Sequence, residues 1–289
     1  MSVIGAGKVG STLAVLLHQA GYRIVSVVSR KKQSAGTLAR LVGCRNYSDS
    51  MTDLSSETDF LMIAIPEEYI PAIAEELAGY RHLDFPNLTV FHTSGSLTSD
   101  ALLPMRRRGA QTFSLHPIQS FPQSSSLTHQ LTRMSDVVYG FEGGKRAWPR
   151  ARRLVKELNG TVVRIPKEEK ILYHSASVLA SNYSVALLGA VDDILRHMHA
   201  GIELAHFKPI VGTSIEHAFR QTPGQALTGP IVRGSVATVE QHARALRKIS
   251  KQLAELYQQL GLQALKMATE RKSLQPDIAK QMRRILRQR

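Results

Sequence analysis

The stretch that most narrows what this chain can become lies at its start: Ser2-Val3-Ile4, then Gly5-Ala6-Gly7-Lys8-Val9-Gly10, then Ser11-Thr12-Leu13-Ala14-Val15-Leu16-Leu17. A short apolar strand runs into Gly-x-Gly-x-x-Gly and out into an amphipathic helix, the context that makes an otherwise weak pattern a dinucleotide fingerprint. Gly5 permits the tight turn, Gly7 keeps a Cβ away from a pyrophosphate, and Gly10 lets the helix pack on its strand. The pyrophosphate is expected on the helix N-terminus, at Ala6, Lys8 and Val9, where unpaired N–H groups and the dipole favour an anion. The next strand, Arg23–Val28, ends in Ser29-Arg30-Lys31-Lys32 and not in the acid that receives the ribose hydroxyls of NAD. A hydroxyl, a guanidinium and ammonium groups there suit the 2′-phosphate of NADP.

The rest of the first half alternates. Residues 33–42 read as a helix, 44–47 as a weak strand, 59–65 as a strand buried on both faces and 67–78 as a helix. Strands at 88–92, 111–114, 137–141 and 161–165 alternate with helices at 98–108 and 147–158, which predicts an α/β fold with a doubly wound, mainly parallel sheet. Helical periodicity then takes over, in runs at 168–199, 210–219 and 236–260. A dinucleotide-binding domain over 1–166 and an all-helical substrate and dimerisation domain over 167–289 are expected, with ligands outside the carboxyl ends of the strands.

At 289 residues and 43% hydrophobic content the chain can bury the cores of one large domain or two ordinary ones. The lone Cys44 excludes an internal disulfide framework. No apolar run approaches membrane-spanning length and no signal-peptide architecture precedes the fingerprint, so a cytoplasmic protein is expected. The net charge of +14 raises nucleic-acid binding. The basic residues sit in Arg106-Arg107-Arg108, along 145–156 and in a tail from Arg271 to Arg289, which read as solvated helix faces and a frayed end. No recognition motif or aromatic interleaving accompanies them, and nucleic acid is not expected as a partner.

Four clusters carry candidate chemistry. Ile65-Pro66-Glu67 ends one strand and His92-Thr93-Ser94-Gly95-Ser96 the next. Ile65, Pro66 and Ser94 are expected to line the cofactor, with a turn-capping role for Ser94 equally open. In Ser114-Leu115-His116-Pro117-Ile118-Gln119 a His stands beside a rigid Pro, so His116 is a candidate acid or orienter, or else a structural hydrogen-bonding His. Along Tyr173-His174-Ser175-Ala176-Ser177 to Ser181-Asn182-Tyr183, His174, Ser177 and Ser181 share a helix face bordered by Asn182. Catalysis by His174 with Ser177 and Asn182 orienting competes there with an interhelical hydrogen-bond seam. Last, Leu227-Thr228-Gly229-Pro230-Ile231-Val232-Arg233-Gly234-Ser235 runs into a helix. Thr228, the permanently charged Arg233 and a capping Ser235 suit an anion, and with Gln119 they are the candidate substrate contacts. No metal is expected.

These motifs together, with Thr238-Val239, resemble one family across nearly the whole chain: Rossmann-like predicted oxidoreductases whose C-terminal helical domain has no known function. The family is related to pyrroline-5-carboxylate reductase, the deazaflavin-dependent NADP reductase and ketopantoate reductase. The resemblance implies an N-terminal NADP domain, a helical domain of the 6-phosphogluconate dehydrogenase type and a homodimer through those helices. It departs at Ser235, where the family has Asp, and at His217, where Asn is expected. The function this implies is NADP-dependent hydride transfer to a small anionic carbonyl or imine metabolite. A non-catalytic NADP sensor and a deazaflavin-dependent reductase are the alternatives.

Overall fold

The computed structural model of the chain describes residues 1–288; Arg289, the last of the basic tail, lies outside them. The first part runs β1 (Ser2–Ile4), α1 (Lys8–Gln19), β2 (Ser26–Val28), α2 (Lys32–Leu41), β3 (Tyr47–Ser48), β4 (Phe60–Ile63), α3 (Ile70–Ala78), β5 (Thr89–His92), α4 (Leu103–Arg107), β6 (Gln111–Pro117), α5 (Leu127–Leu131), β7 (Val138–Gly143), α6 (Trp148–Glu157), β8 (Thr161–Arg164) and α7 (Lys170–Ala180). The strands form one sheet in the order β3-β2-β1-β4-β5-β6-β7-β8. Every pairing is parallel except β6 with β7, which is antiparallel, so the expected mixed α/β sheet is present. β1 has β2 on one side and β4 on the other, the reversal of strand order that leaves a crevice at the carboxyl ends.

The alternation of side chains along these strands builds two cores. Val3, Val27, Met62, Phe91 and Phe113 face one layer of helices, and Ile4, Val28, Leu61, Ile63 and Val90 face the other. Phe91 stacks on Phe113 at 5.3 Å and meets Phe60 edge-on at 5.6 Å. The helix α5 and the loop before it were not anticipated. They close over α1, where Gln130 accepts from the buried Thr12 hydroxyl at 3.0 Å and Ser125 O accepts from Lys8 Nζ at 2.6 Å.

The chain divides into two compact units, Met1–Ser181 and Asn182 onward. Helical sequence begins near Pro166, but α7 belongs to the first unit because Lys170 and Tyr173 seat it on the sheet. The second unit comprises α8 (Asn182–Leu195), α9 (Lys208–Arg220), α10 (Pro223–Ala226), α11 (Val236–Ile249), α12 (Lys251–Glu270) and α13 (Pro276–Leu286). Its core is α11 to α13, with Val239, Leu265, Ala268, Met282 and Ile285 packed around Ile231.

Several expectations are corrected here. The run at 168–199 breaks at Ser181 and ends at Leu195. The run at 236–260 is two helices, because Ser250 is extended (φ −158°, ψ 133°) and its hydroxyl caps α12 at Leu253 N. The tail is not frayed: α13 buries Ala279, Met282, Ile285 and Leu286 while its arginines face out, an amphipathic pattern masked by its charge. Residues 167–195 are also long and apolar enough to cross a membrane by length and composition, with a mean hydropathy of 1.3 and only 6% of the window buried. The start of that stretch is nevertheless seated on the sheet through the fully buried Lys170, the setting of a helix that flanks a core.

Candidate functional site

The first unit carries both an open glycine turn with a cleft beside it and a cluster of titratable side chains near the carboxyl ends of β4, β5 and β6. At β1 the fingerprint turn is built by close approach. Gly5 has φ +103° and donates its N–H to Val28 O at 2.8 Å, and a Cβ on it would meet Ala64 O at 2.2 Å. A Cβ on Gly10 would lie 2.0 Å from Gly5 O, so only glycine lets α1 sit this close to β1. A Cβ on Gly7 would meet nothing within 4 Å: the turn is open there. Gly7 is also the N-cap of α1 and no side chain caps it, which leaves the first N–H groups of the helix for a ligand. A cleft of about 420 Å³ opens beside it, lined by Ala6, Gly7, Lys8, Ser11, Gln33 and Gln123. Val9 packs against the core, and the Lys8 ammonium is held by the loop before α5.

Past β2, Ser29 fixes its backbone to Ser48 O at 3.1 Å, and Arg30 and Lys31 are exposed. Lys31 is the N-cap of α2 and Lys32 its first residue, with no capping side chain and no acid in the first turn. Cations at a helix N-terminus oppose the dipole and cost stability unless an anion joins them. Among the described residues none of Arg30, Lys31 and Lys32 has an ion-pair partner. An open glycine, an uncapped α1 and unopposed cations at α2 fit a phosphorylated dinucleotide.

Beyond β4, Ile65 and Pro66 lead into Glu67, whose carboxylate accepts from Ser94 Oγ at 2.7 Å and from Ser96 Oγ. Those hydroxyls, Ser96 foremost, hold the Glu67 carboxyl below its ordinary range. Ser94 Oγ accepts from Ser96 N and Leu97 N, so its hydroxyl shapes the turn and the turn-capping alternative describes its contacts. His92 is fully buried: Nδ1 accepts from Ser94 N at 3.3 Å, which places the proton on Nε2 facing Thr98 O at 3.0 Å. Burial lowers its pKa to about 4.

The centre of the cluster joins β6 to α7. His116 Nδ1 lies 2.8 Å from the Tyr173 hydroxyl, and the His174 ring stands edge-on to His116 at 5.9 Å. Gly95 and Gly140 make room, since a Cβ on Gly95 would lie 2.5 Å from the His174 ring and 2.9 Å from His116 Nε2, and one on Gly140 2.5 Å from the Tyr173 oxygen. Behind them Lys170 is fully buried and donates Nζ–H to Ser114 Oγ at 2.9 Å, and Ser114 donates on to Ser94 O. Burial lowers the Lys170 pKa to about 8, against the pull of the buried Glu142 carboxylate, which itself is bonded to Ser99. Burial first, then the Lys170 charge and His174, lower His116 to about 4, and burial raises Tyr173 to about 12. His116 is therefore neutral at pH 7.

Other expected residues are placed otherwise. Ser177 donates to Tyr173 O one turn back, at 3.1 Å. Gln119 spends its amide on Arg133 O and Ser120 N, closing its own loop. Asn182 opens α8 in the second unit and is exposed. Arg233 and Thr228 are exposed too, in a turn where Gly229 (φ +101°) and Gly234 (φ +74°) bend the chain and Ser235 N donates to Pro230 O at 2.8 Å. Ser235 is the N-cap of α11, but its side chain makes no capping hydrogen bond, with ψ at 74° instead of the extended value a cap adopts. Among the described residues the Arg233 guanidinium has no hydrogen-bond or ion-pair partner, and no group of metal-ligating side chains occurs. Lys170 escaped the sequence reading because Lys167-Glu168-Glu169-Lys170 looks like a solvated helix start; its i+3 and i+4 relation to Tyr173 and His174 was the available signal.

Comparisons with known proteins agree with this architecture. A family model of Rossmann-like domains matches residues 1–117, and one of a domain of unknown function, DUF2520, matches residues 137–264. No curated protein matches the sequence. Among solved structures, a Bacteroides fragilis protein described as an NADP oxidoreductase is 20% identical with a TM-score of 0.74, covering 91% of this chain and 96% of its own. A Thermotoga maritima protein is 24% identical with a TM-score of 0.72, over 94% and 99%. The Aspergillus terreus reductive aminase, in complex with NADPH and ethyl-5-oxohexanoate, is 14% identical with a TM-score of 0.65, over 97% of this chain and 96% of its own. At these identities the likeness is one of fold.

The histidines set a pH dependence of stability. Their folded pKa values near 4 lie below the 6.5 of an unfolded His, so between those limits the unfolded chain binds more protons and stability falls as pH falls through the window. Urea denaturation between pH 7 and pH 4.5 should show this loss, less steep in His92→Gln. Equal slopes in the two proteins would contradict the assignment.

Proposed function

From a chain whose residues 1–117 belong to the Rossmann-like domains and residues 137–264 to the DUF2520 domains, we infer an NADP-dependent oxidoreductase acting on a small anionic carbonyl or imine metabolite. The observation that carries the reading is the groove of the first unit, where Gly7 faces open space and the cations at the start of α2 have no protein counter-ion. That solved structures of the same fold are described as an NADP oxidoreductase and an NADPH-bound reductive aminase supports it.

In this reading Gly5 shapes the turn, the amides at Ala6–Val9 take the pyrophosphate, and Ser29, Arg30 and Lys31 the 2′-phosphate. When bound, the nicotinamide supplies the hydride that reduces the substrate carbon. His174, half-buried at the rim of the cluster, delivers the proton to the carbonyl oxygen or imine nitrogen. Neutral His116, fixed by Tyr173, holds the His174 ring in place, and burial, reinforced by the Lys170 charge, keeps His116 unprotonated. The exposed Arg233 guanidinium of the second unit, without a protein counter-ion among the described residues, is the proposed binding group for an acid group.

We also propose that a second copy of the chain covers α8 and α9. These helices bury almost nothing within the chain: only Leu195 is buried in α8 and nothing in α9. Tyr183, Val185, Ile210 and Phe219 are 60% to 86% exposed. Apolar helices left this bare in water mark an interface, and the apolar character continues into Ile171, Leu172 and Leu179 of α7.

Calorimetric titration should show NADPH binding tighter than NADH by on the order of tenfold or more, and Arg30→Glu should remove most of that preference; equal affinity of the wild type for both would overturn the cofactor. His174→Asn should leave NADPH affinity unchanged and lower kcat by on the order of a hundredfold on any substrate found by a panel of keto acids and imines, the usual scale for a lost general acid. An unchanged kcat would return His174 to structure. Light scattering should give a dimer that Phe219→Glu weakens, whereas a monomer at micromolar concentration would refute the second copy.

A further inference from the structure

We propose that Tyr69 is a positioning residue that selects NADP over NAD by holding Arg30, an inference that rests on the cofactor reading above. Tyr69 follows β4 and Arg30 follows β2, the two strands flanking β1, so their contact bridges the groove at the end of β1. The Arg30 guanidinium carbon lies 5.5 Å from the centroid of the Tyr69 ring. No hydrogen bond or ion pair to Arg30 occurs among the described residues, so this cation–π contact is what orients it.

The ring is a fixed platform on one side only. Tyr69 N donates to Pro66 O at 3.1 Å, and the next residue, Ile70, is fully buried at the start of α3, which pins the backbone while the ring remains 46% exposed. An exposed arginine is rich in rotamers, and binding a phosphate would have to order it. The cation–π contact orders it in advance. The contact also takes up none of the guanidinium N–H groups in a hydrogen bond, so they stay free for a bidentate bond to phosphate oxygens. The unopposed Lys31 and Lys32 at the start of α2 add charge on the Arg30 side of the groove. NAD lacks the 2′-phosphate, so the benefit of a pre-ordered Arg30 goes to NADP alone. A ring that served as a platform for adenine would help both cofactors alike, and that difference makes the role measurable.

The test is calorimetric titration of the full chain with NADPH, NADH, 2′,5′-ADP and ADP. Tyr69→Ala should weaken NADPH and 2′,5′-ADP about two- to fivefold, the scale of an exposed cation–π contact, and leave NADH and ADP unchanged. Tyr69→Phe, which keeps the ring, should retain the wild-type ratio. In an Arg30→Ala background the Tyr69→Ala change should have no further effect on that ratio. Equal weakening of both cofactors, or a further loss of discrimination in the Arg30→Ala background, would overturn the proposal. A wild type that does not discriminate would overturn the NADP reading and this inference with it, whereas discrimination unaltered by Tyr69→Ala removes the inference alone. Thermal unfolding of each variant separates a folding defect from a loss of binding.

Discussion

A cation sealed inside the first unit organises the candidate site. Burying an ammonium is costly unless polar groups surround it, and Lys170 meets that cost with the Ser114 hydroxyl and the field of the Glu142 carboxylate. The same contact fixes α7 on β6, and so sets Tyr173 against His116 and His174 against Gly95. It also acts electrostatically: the Lys170 charge adds to burial in keeping His92 and His116 unprotonated. One buried side chain thus fixes where Tyr173 and His174 stand and reinforces what burial does to the protonation of His92 and His116.

The cofactor groove depends on a different constraint, the absence of side chains. At Gly5 and Gly10 a Cβ would collide with backbone, so α1 can approach β1 only through glycine, and at Gly7 the missing Cβ leaves an opening. Beside this opening the electrostatics are deliberately unbalanced. Cations occupy the positive end of α2 without an acid to relieve them, an arrangement that stabilises a bound phosphate at the expense of the empty protein. Arg30 resting on Tyr69 belongs to that economy: its charge is kept exposed yet its freedom is curtailed.

The second unit is complete in one half and incomplete in the other. Helices α11 to α13 enclose their own core, and the basic residues of α13 are simply its solvated face. Helices α8 and α9 have apolar faces with no core beneath them, and helices of this length owe most of their stability to packing. The second copy proposed above would supply the surface that packs on them.

Sequence alone determined the glycine turn, the basic cluster at Ser29–Lys32 and the alternation of strands and helices, because each is a local pattern whose physics acts within a few residues. Gly5, Gly7 and Gly10 read as turn, opening and close contact, and they are so. The tertiary structure decided what depends on partners distant in sequence. Ser94 and Gln119, plausible ligand contacts by type, spend their hydrogen bonds on turns and loops that spacing does not reveal. Ser235 follows the capping pattern but lacks the backbone geometry to cap. Lys170 looks solvated beside two glutamates and is buried because Ser114, far away in sequence, lies beneath it. Tyr69 gains a role only because β2 and β4 flank β1 and bring Arg30 over its ring. Burial and proximity are properties of the assembled sheet, and a side chain's protonation state and free valences follow from them rather than from its neighbours along the chain.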